Sequence, residues 1–281
     1  MRGFGSLLAG LVAVVAFAVA LPLAWLAVEI ADEDGYVELS RGILDDTATR
    51  TALVEAVVDE LDGRTRDRLE ELRIPADVID RTLEELAGFV GEGLASDVVV
   101  DGWGDSQRQA HREMFRGEDQ DYRFVVDLAP LVAAVATEAG VELDVTSVPI
   151  EMQDQQARRA VATAAASPQL AVGAGVVTLA GAVLAQVLAR RRGVALVWLG
   201  AGALAVTGLL HLGARVAAST DPSAGTDAGT RVGLVLVDVA RASFDDLLAK
   251  AAIGGGVVLV VGVVLAVAES VRQGRGRTAG P

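Results

Sequence analysis

Three consecutive arginines, Arg190, Arg191 and Arg192, stand between two uncharged apolar runs and constrain the fold more than any other feature. The runs cover residues 170–189 and 194–213, and each is 20 residues long. About 20 apolar residues in a helix cross the hydrocarbon core of a bilayer. Three arginines at the centre of such a helix would cost on the order of 9 kcal/mol, at roughly 3 kcal/mol each. The sequence therefore predicts a transmembrane hairpin that turns at the arginines.

Two further apolar runs, residues 7–28 and 251–268, predict two further spans. The first exceeds the roughly 7–15 apolar residues of a signal peptide, so we interpret it as an uncleaved helix. Cleavage near residues 18–20 is the competing interpretation. Short basic loops stay in the cytoplasm, which places the arginine turn, Arg2 and the basic C-terminal tail there. This threading predicts a multi-pass protein of the plasma membrane with both termini cytoplasmic.

The threading divides the chain into five parts. They are an N-terminal transmembrane helix (1–30), an extracytoplasmic domain (31–168), the hairpin (169–213), an extracytoplasmic loop and helix (214–250), and a fourth span with a cytoplasmic tail (251–281). The domain is acidic, with 31 Asp and Glu against 13 Arg between residues 31 and 168. Acidic surfaces repel phosphate, so nucleic acid is excluded as a partner. Salt adaptation is a second interpretation of this acidity. The chain has no cysteine, which excludes disulfides and thiolate metal sites.

Apolar spacing within the extracytoplasmic parts is mostly helical. Helices are predicted for residues 36–44, 47–61, 64–73, 75–90, 96–115, 130–138 and 152–166. Strand composition at 122–128 and 141–150 predicts a small β element. Beyond a flexible loop at 219–229, Ser243 with an acid three residues later matches a helix start. We expect a mainly α fold, with four transmembrane helices and an extracytoplasmic, mostly helical domain that contains a two-stranded β element.

Four side chains are the candidates for a functional role: Trp103, His111, Asp127 and His211. Trp103 and His111 are eight residues apart, so one helix would place them on roughly the same side. His111 lies beside acids and could bind a metal or sense pH, but no second His or Cys lies nearby, which favours packing against Trp103. His211 is an ionisable residue inside a predicted span, a class that often marks function. Its position four residues before Arg215 favours the membrane interface instead.

Known catalytic and ligand-binding motifs are not found in this sequence. The acidic residues 118–121 resemble the start of a calcium loop, but Phe124 and Pro130 occupy the positions that require Gly and Glu. Polar residues are few in the spans, whereas a transporter would normally need more of them. Glycines in the spans, among them Gly200, Gly208 and Gly262, predict close helix contacts. We expect no catalytic, cofactor or metal site.

A set of short motifs gives the chain a family resemblance. They are Asp34-Gly35-Tyr36-Val37, Leu44-Asp45-Asp46, Trp103, His111, the segment 125–130, Pro149 and the arginine turn. With this layout the chain resembles a group of four-pass actinobacterial integral membrane proteins of unknown function. The resemblance implies an extracytoplasmic helical domain on a small transmembrane bundle, and it implies no catalytic residues.

The expected function is that of a non-enzymatic membrane protein whose acidic outer domain binds a partner or supports the cell envelope. A sensor or transport-accessory subunit of a membrane complex is the alternative, and an envelope hydrolase is a third. The expected partners are the lipid bilayer and either an envelope protein or a second copy of the chain.

Overall fold

The computed structural model describes residues 2–45, 97–116, 124–127, 130, 149–152, 155–218 and 228–277. Their elements are α1 (Arg2–Trp25), a π-helical segment (Leu26–Ala31), α2 (Glu33–Asp45), α3 (Asp97–Arg116), β1 (Phe124–Asp127), β2 (Pro149–Met152), α4 (Gln155–Leu188), α5 (Arg192–Ala218) and α6 (Ala228–Arg277). The chain forms two compact units. The span unit comprises Met1–Ala27, Ala166–Asp221 and Arg241–Pro281, and the domain unit comprises Val28–Ala165 and Pro222–Ala240.

Four helices among the described residues are long and apolar enough to cross a membrane. They are Gly3–Ala31, Val161–Leu188, Arg192–Val216 and Val237–Gln273. Large apolar side chains on these helices are exposed, as at Val172 (69%), Trp198 (70%) and Ile253 (69%). Exposed apolar surface on this scale marks contact with lipid or with another protein. The four predicted spans are thus confirmed as helices of suitable length and composition, as expected of a multi-pass membrane protein.

The arginine turn lies where the sequence predicts it. Helix α4 ends at Leu188 and α5 begins at Arg192, so the chain reverses across the intervening three residues. The three arginine side chains are exposed. On the adjoining helix α6, Glu269 Oε1 accepts a hydrogen bond of 3.5 Å from the Gly193 amide. An acidic group at a helix N-terminus is electrostatically favourable, so this contact helps to fix where α5 begins.

Small residues bring α5 and α6 close together within the span unit. A Cβ added at Gly200 would lie 2.5 Å from Leu259 N, and one added at Gly262 would lie 2.6 Å from Val197 N. At Gly208, by contrast, an added Cβ would have no neighbour within 4 Å among the described residues. The predicted role of glycine in close helix contact is therefore confirmed at Gly200 and Gly262, and it is wrong at Gly208.

The predicted helix start at Ser243, on α6, is wrong. The helix already runs from Ala228, so Ser243 lies well inside it, and residues 228–229 of the predicted loop are helical. The capping pattern is local, and it has no role where the preceding residues already supply helical hydrogen bonds. The Ser243 hydroxyl accepts a hydrogen bond of 3.2 Å from Trp25 Nε1 instead.

Helix α4 likewise joins a predicted polar helix and a predicted span into one element. It begins at Gln155 and continues through Pro168, whereas Met152, the predicted first residue, belongs to β2. An interior proline removes one backbone hydrogen bond and often ends a helix. Here the alanine-rich residues 160–166 have the highest helix propensity, and the helix continues.

In the domain unit, the bounds of α2 and α3 differ from those of the predicted helices 36–44 and 96–115 by at most three residues at either end. Asp32 precedes α2 and caps it, because its Oδ1 accepts a 3.0 Å hydrogen bond from the Gly35 amide. Strands β1 and β2 pair antiparallel, with Phe124 opposite Met152. The predicted helices 47–61, 64–73 and 75–90, residues 131–138 and the predicted strand residues 141–148 lie outside the described residues.

We expect Gly200→Ala to destabilise the protein by about 1–3 kcal/mol, as overpacking of a close contact does. Gly208→Ala is the matched control on the same helix, and it should be neutral or slightly stabilising because its Cβ has room. Thermal unfolding of the two variants in detergent, followed by circular dichroism, measures the difference. Equal melting temperatures would contradict the close approach of α5 and α6.

Candidate functional site: the two histidines

His111 lies on α3 in the domain unit and is 6% exposed. Its Nε2 lies 3.1 Å from the carbonyl oxygen of Ile30, which belongs to the π-helical segment. A carbonyl oxygen can only accept a hydrogen bond, so this contact assigns the proton to Nε2. The interaction fastens α3 to the backbone that precedes α2.

Aromatic rings pack against His111 from two directions. The Tyr36 ring centroid lies 5.4 Å from the imidazole centroid, and the Phe115 centroid lies 4.5 Å from it. Tyr36 is itself buried beside Met114 and Val161. Burial raises the pKa of the Tyr36 hydroxyl far above its ordinary value, so the phenol stays neutral. The imidazole therefore lies in an aromatic pocket and not in an open cleft.

Trp103 is the most deeply buried large side chain among the described residues, at 1% exposed. Its Nε1 donates a 3.0 Å hydrogen bond to the backbone oxygen of Ser40 on α2. Ser40 and Ser106 are fully buried, and their small side chains let α2 and α3 lie close together around the indole. The sequence predicts packing of Trp103 against the helix side that carries Val78, Leu86 and Phe89, and these residues lie outside the described part of the chain. The described partner is α2.

An ion pair next to His111 in the sequence joins α3 to α2. The Arg112 guanidinium donates two hydrogen bonds to Glu33, Nε to Oε2 at 3.0 Å and Nη2 to Oε1 at 2.8 Å. These hydrogen bonds hold the pKa of the Glu33 carboxyl below its usual value, and burial opposes the effect only in part. Glu33 therefore stays ionised at neutral pH and ties the first turn of α2 to α3.

Five of the residues behind the family resemblance lie on the two helices of this cluster: Gly35, Tyr36, Val37, Trp103 and His111. Tyr36 and Val37 are buried, as are Trp103 and His111. Position 35 has room only for glycine, because a Cβ there would overlap the carbonyl oxygen of Val28. These five residues therefore help to determine how α2 packs on α3.

His211 lies on α5 in the span unit and has a partner that the sequence did not reveal. Its Nδ1 lies 2.8 Å from Oδ1 of Asp245 on α6, and the two side chains are 38% and 34% exposed. Beside this pair, the Trp25 ring meets Phe244 edge to face at a centroid distance of 5.6 Å. Asp246 pairs with Lys250 one turn along α6. His211 thus links α5 to α6 at a half-exposed position.

The remaining polar groups of the spans have mostly local roles. Thr178 Oγ1 donates to the Ala174 carbonyl at 2.8 Å, and Thr207 Oγ1 donates to the Leu204 carbonyl at 3.0 Å. Each hydroxyl therefore binds a carbonyl of its own helix. Gln186 differs, because its Nε2 is buried and has no hydrogen-bond partner among the described residues.

Asp127, the fourth candidate, is placed on β1, where its backbone lies opposite Pro149. Sequence reasoning also missed Tyr36 and Asp245 as members of the two clusters. Tyr36 has a signal in the Asp34–Val37 motif, whereas the sequence places Asp245 only within a helix start.

In the described part of the chain, no three His, Asp or Glu side chains are grouped so that they could hold a metal ion. No protein family, curated protein or solved structure matches this chain. The function of the chain is therefore inferred from the geometry of the two histidine clusters.

Trp103→Ala should destabilise the protein by about 3–5 kcal/mol, because it empties a buried indole site. Trp103→Phe keeps most of the volume and removes only the indole hydrogen bond to the Ser40 carbonyl, which should cost about 0.5–1.5 kcal/mol. His111→Gln keeps a side-chain N–H donor and should cost less than Trp103→Ala. Denaturant unfolding of the full-length chain in detergent measures these differences.

Trp198→Ala is the control for the loss of an indole, since Trp198 is 70% exposed. Its effect should stay within about 0.5 kcal/mol. If Trp103→Ala cost no more than Trp198→Ala, Trp103 would not organise the domain unit.

Proposed function

We propose that this chain is a non-enzymatic multi-pass membrane protein that displays its acidic domain unit outside the cell for binding to an envelope protein. One observation carries the proposal: both histidines of the chain join helices to neighbouring backbone or side chains. His111 is enclosed by Tyr36 and Phe115, which leaves no room for a substrate at its ring. The side chains best suited to acid–base chemistry thus have structural roles.

The exposed face of α3 supports a protein partner. Asp105, Arg108, Gln109, Arg112 and Glu113 line a polar depression of about 510 Å³ there. Arg108 and Asp105 form an ion pair of 3.0 Å across it. Alternating charges around a shallow depression suit a polar protein surface, where complementary charge sets specificity and association rate.

The proposed display outside the cell rests on the positive-inside rule, which assigns the arginine turn, Arg2 and the C-terminal arginines to the cytoplasm. Residues 31–168 and 214–250 are then extracytoplasmic, as expected from the sequence.

Display and partner binding are tested together with single cysteines in this cysteine-free chain. Gln109→Cys on α3 and Glu38→Cys on α2 are both exposed, and Ala189→Cys lies in the arginine turn. Gly193 is unsuitable, since a Cβ there would overlap the backbone of Ala266. A membrane-impermeant thiol reagent that carries a photo-crosslinker should label positions 109 and 38 on intact cells and leave position 189 unlabelled.

After illumination, the Gln109→Cys protein should form a discrete crosslinked product, and the Glu38→Cys protein should form less of it. Labelling at Ala189 on intact cells would overturn the topology. Efficient labelling at position 109 without a crosslink would overturn the binding face. Turnover of a cell-wall or lipid substrate by the purified protein, lost in His111→Ala, would show that the protein is an enzyme.

A sensor subunit is the second candidate function, and the His211–Asp245 pair favours it. The pair joins α5 to α6 and is a full salt bridge only when the imidazole is protonated. An ordinary histidine changes its charge between about pH 5 and 8. Protonation could therefore alter how tightly the two helices are joined.

A sensor should show a pH-dependent distance between α5 and α6. Spin labels at Leu209 and Ile253, both 69% exposed, report this distance in the full-length protein. In a sensor, the distance should differ between about pH 5 and 8, the His211→Gln variant should lose the difference, and His111→Gln should retain it. An unchanged distance in the unmutated protein would leave the pair as a structural link only.

A further inference from the structure

Two apolar grooves of the span unit begin at the arginine turn. The first is about 750 Å³ in volume, lies between α1 and α5, and has Arg190 and Arg191 at its mouth. The second is about 910 Å³, lies among α1, α4, α5 and α6, and has Arg192 at its mouth. Val14 and Leu199 line both grooves. The grooves are therefore neighbours that share a wall and a basic end.

The arginines at these mouths are available to a ligand. All three side chains are exposed, and none forms an ion pair within the described part of the chain. Glu269 is the nearby acid, but it accepts from the Gly193 amide and lines neither groove. A concentrated positive charge at a membrane interface attracts anionic headgroups.

The depth of the grooves matches one lipid leaflet. Along α5, the second groove extends from Arg192 to Ala203, and the first extends from Arg191 to Gly202. Eleven residues of helix rise about 16 Å. Half of the hydrocarbon core is about 15 Å thick. Along α6 the second groove extends further, from Leu265 to Ala251, which is about 21 Å. A single acyl chain that starts at the arginine turn would therefore match the first groove and the α5 side of the second.

Gln186 is the polar residue of α4 nearest to the arginine turn. It lies on α4 two residues before the helix ends, and it lines the second groove. Its Nε2 is buried and has no hydrogen-bond partner among the described residues. A donor that lies beneath the groove surface is closed to a bound lipid, so the polar contact of this site comes from the arginines.

We propose that the arginine turn binds one anionic phospholipid. Its phosphate contacts Arg191 and Arg192, and one acyl chain occupies each groove. A zwitterionic lipid fits the grooves equally well but brings a cationic group to the arginines. Selectivity for the anionic headgroup therefore distinguishes this site from ordinary lipid contact.

Trp198 lines the first groove and lies about 9 Å from the arginine turn along α5, which makes it a reporter of acyl-chain occupancy. The full-length protein is reconstituted with brominated-chain phosphatidylglycerol or phosphatidylcholine, because bromine quenches tryptophan on contact. The signal of Trp198 is the difference between the unmutated chain and Trp198→Phe. Quenching in lipid mixtures gives the relative affinity of the two lipids, which should favour phosphatidylglycerol by about tenfold or more.

The variant Arg191→Gln/Arg192→Gln removes one arginine from each mouth and should bring this ratio close to one. Arg272→Gln/Arg275→Gln removes the same charge from the C-terminal end of α6 and should keep the ratio. Equal affinity for both lipids in the unmutated chain would overturn the proposal. The proposal would also be overturned if the affinity ratio fell equally in both double variants, or if it fell in neither.

If the Arg191→Gln/Arg192→Gln variant fails to fold, a salt titration of the unmutated chain tests the role of the arginines instead. The ratio should fall as ionic strength rises from about 0.01 to 1 M, because the screening length shrinks from about 30 to 3 Å. A ratio that is insensitive to salt would overturn the assignment to the arginines.

Discussion

The free energy of keeping arginine out of hydrocarbon is the constraint on which the span unit depends. It forces α4 to end at Leu188 and α5 to begin at Arg192, which fixes the register of both helices. Helix α6 adapts to that register, since Glu269 meets the Gly193 amide, and Gly262 and Gly200 lie where the backbones approach. A polar contact and close packing thus act together at the same interface, in a setting where burial of apolar surface gives little driving force between helices.

The two histidines show how surroundings decide the role of one residue type. His111 is enclosed by aromatic rings and makes a hydrogen bond to a backbone carbonyl that cannot change its protonation. His211 is half-exposed and meets a carboxylate, so its contact depends on the charge of the imidazole. The sensor alternative is therefore built on His211, whose contact joins two helices through a carboxylate.

The polar side chains of the span unit fall into two groups, those with a hydrogen-bond partner and those without one among the described residues. Thr178 and Thr207 bind carbonyls of their own helices, so they place no demand on the surrounding lipid. Gln186 Nε2 and the three arginines make no such bonds among the described residues, and all of them line the two grooves. The groups with unused hydrogen-bonding or charge capacity are thus grouped at one end of the spans, at the arginine turn. This grouping connects the proposed lipid site to the same turn that fixes the register.

The sequence by itself determined the four spans and the position of the arginine turn, because transfer into a bilayer depends on the composition of about 20 consecutive residues. It also determined helices close to α2 and α3, since their apolar spacing is local. Only the tertiary structure decided that Ser243 accepts from Trp25, that Trp103 binds the Ser40 carbonyl, and that His211 meets Asp245. These partners are 218, 63 and 34 residues apart, and such contacts depend on which helix faces meet. Local composition sets which residues form a helix, whereas packing between helices sets which side chains become neighbours.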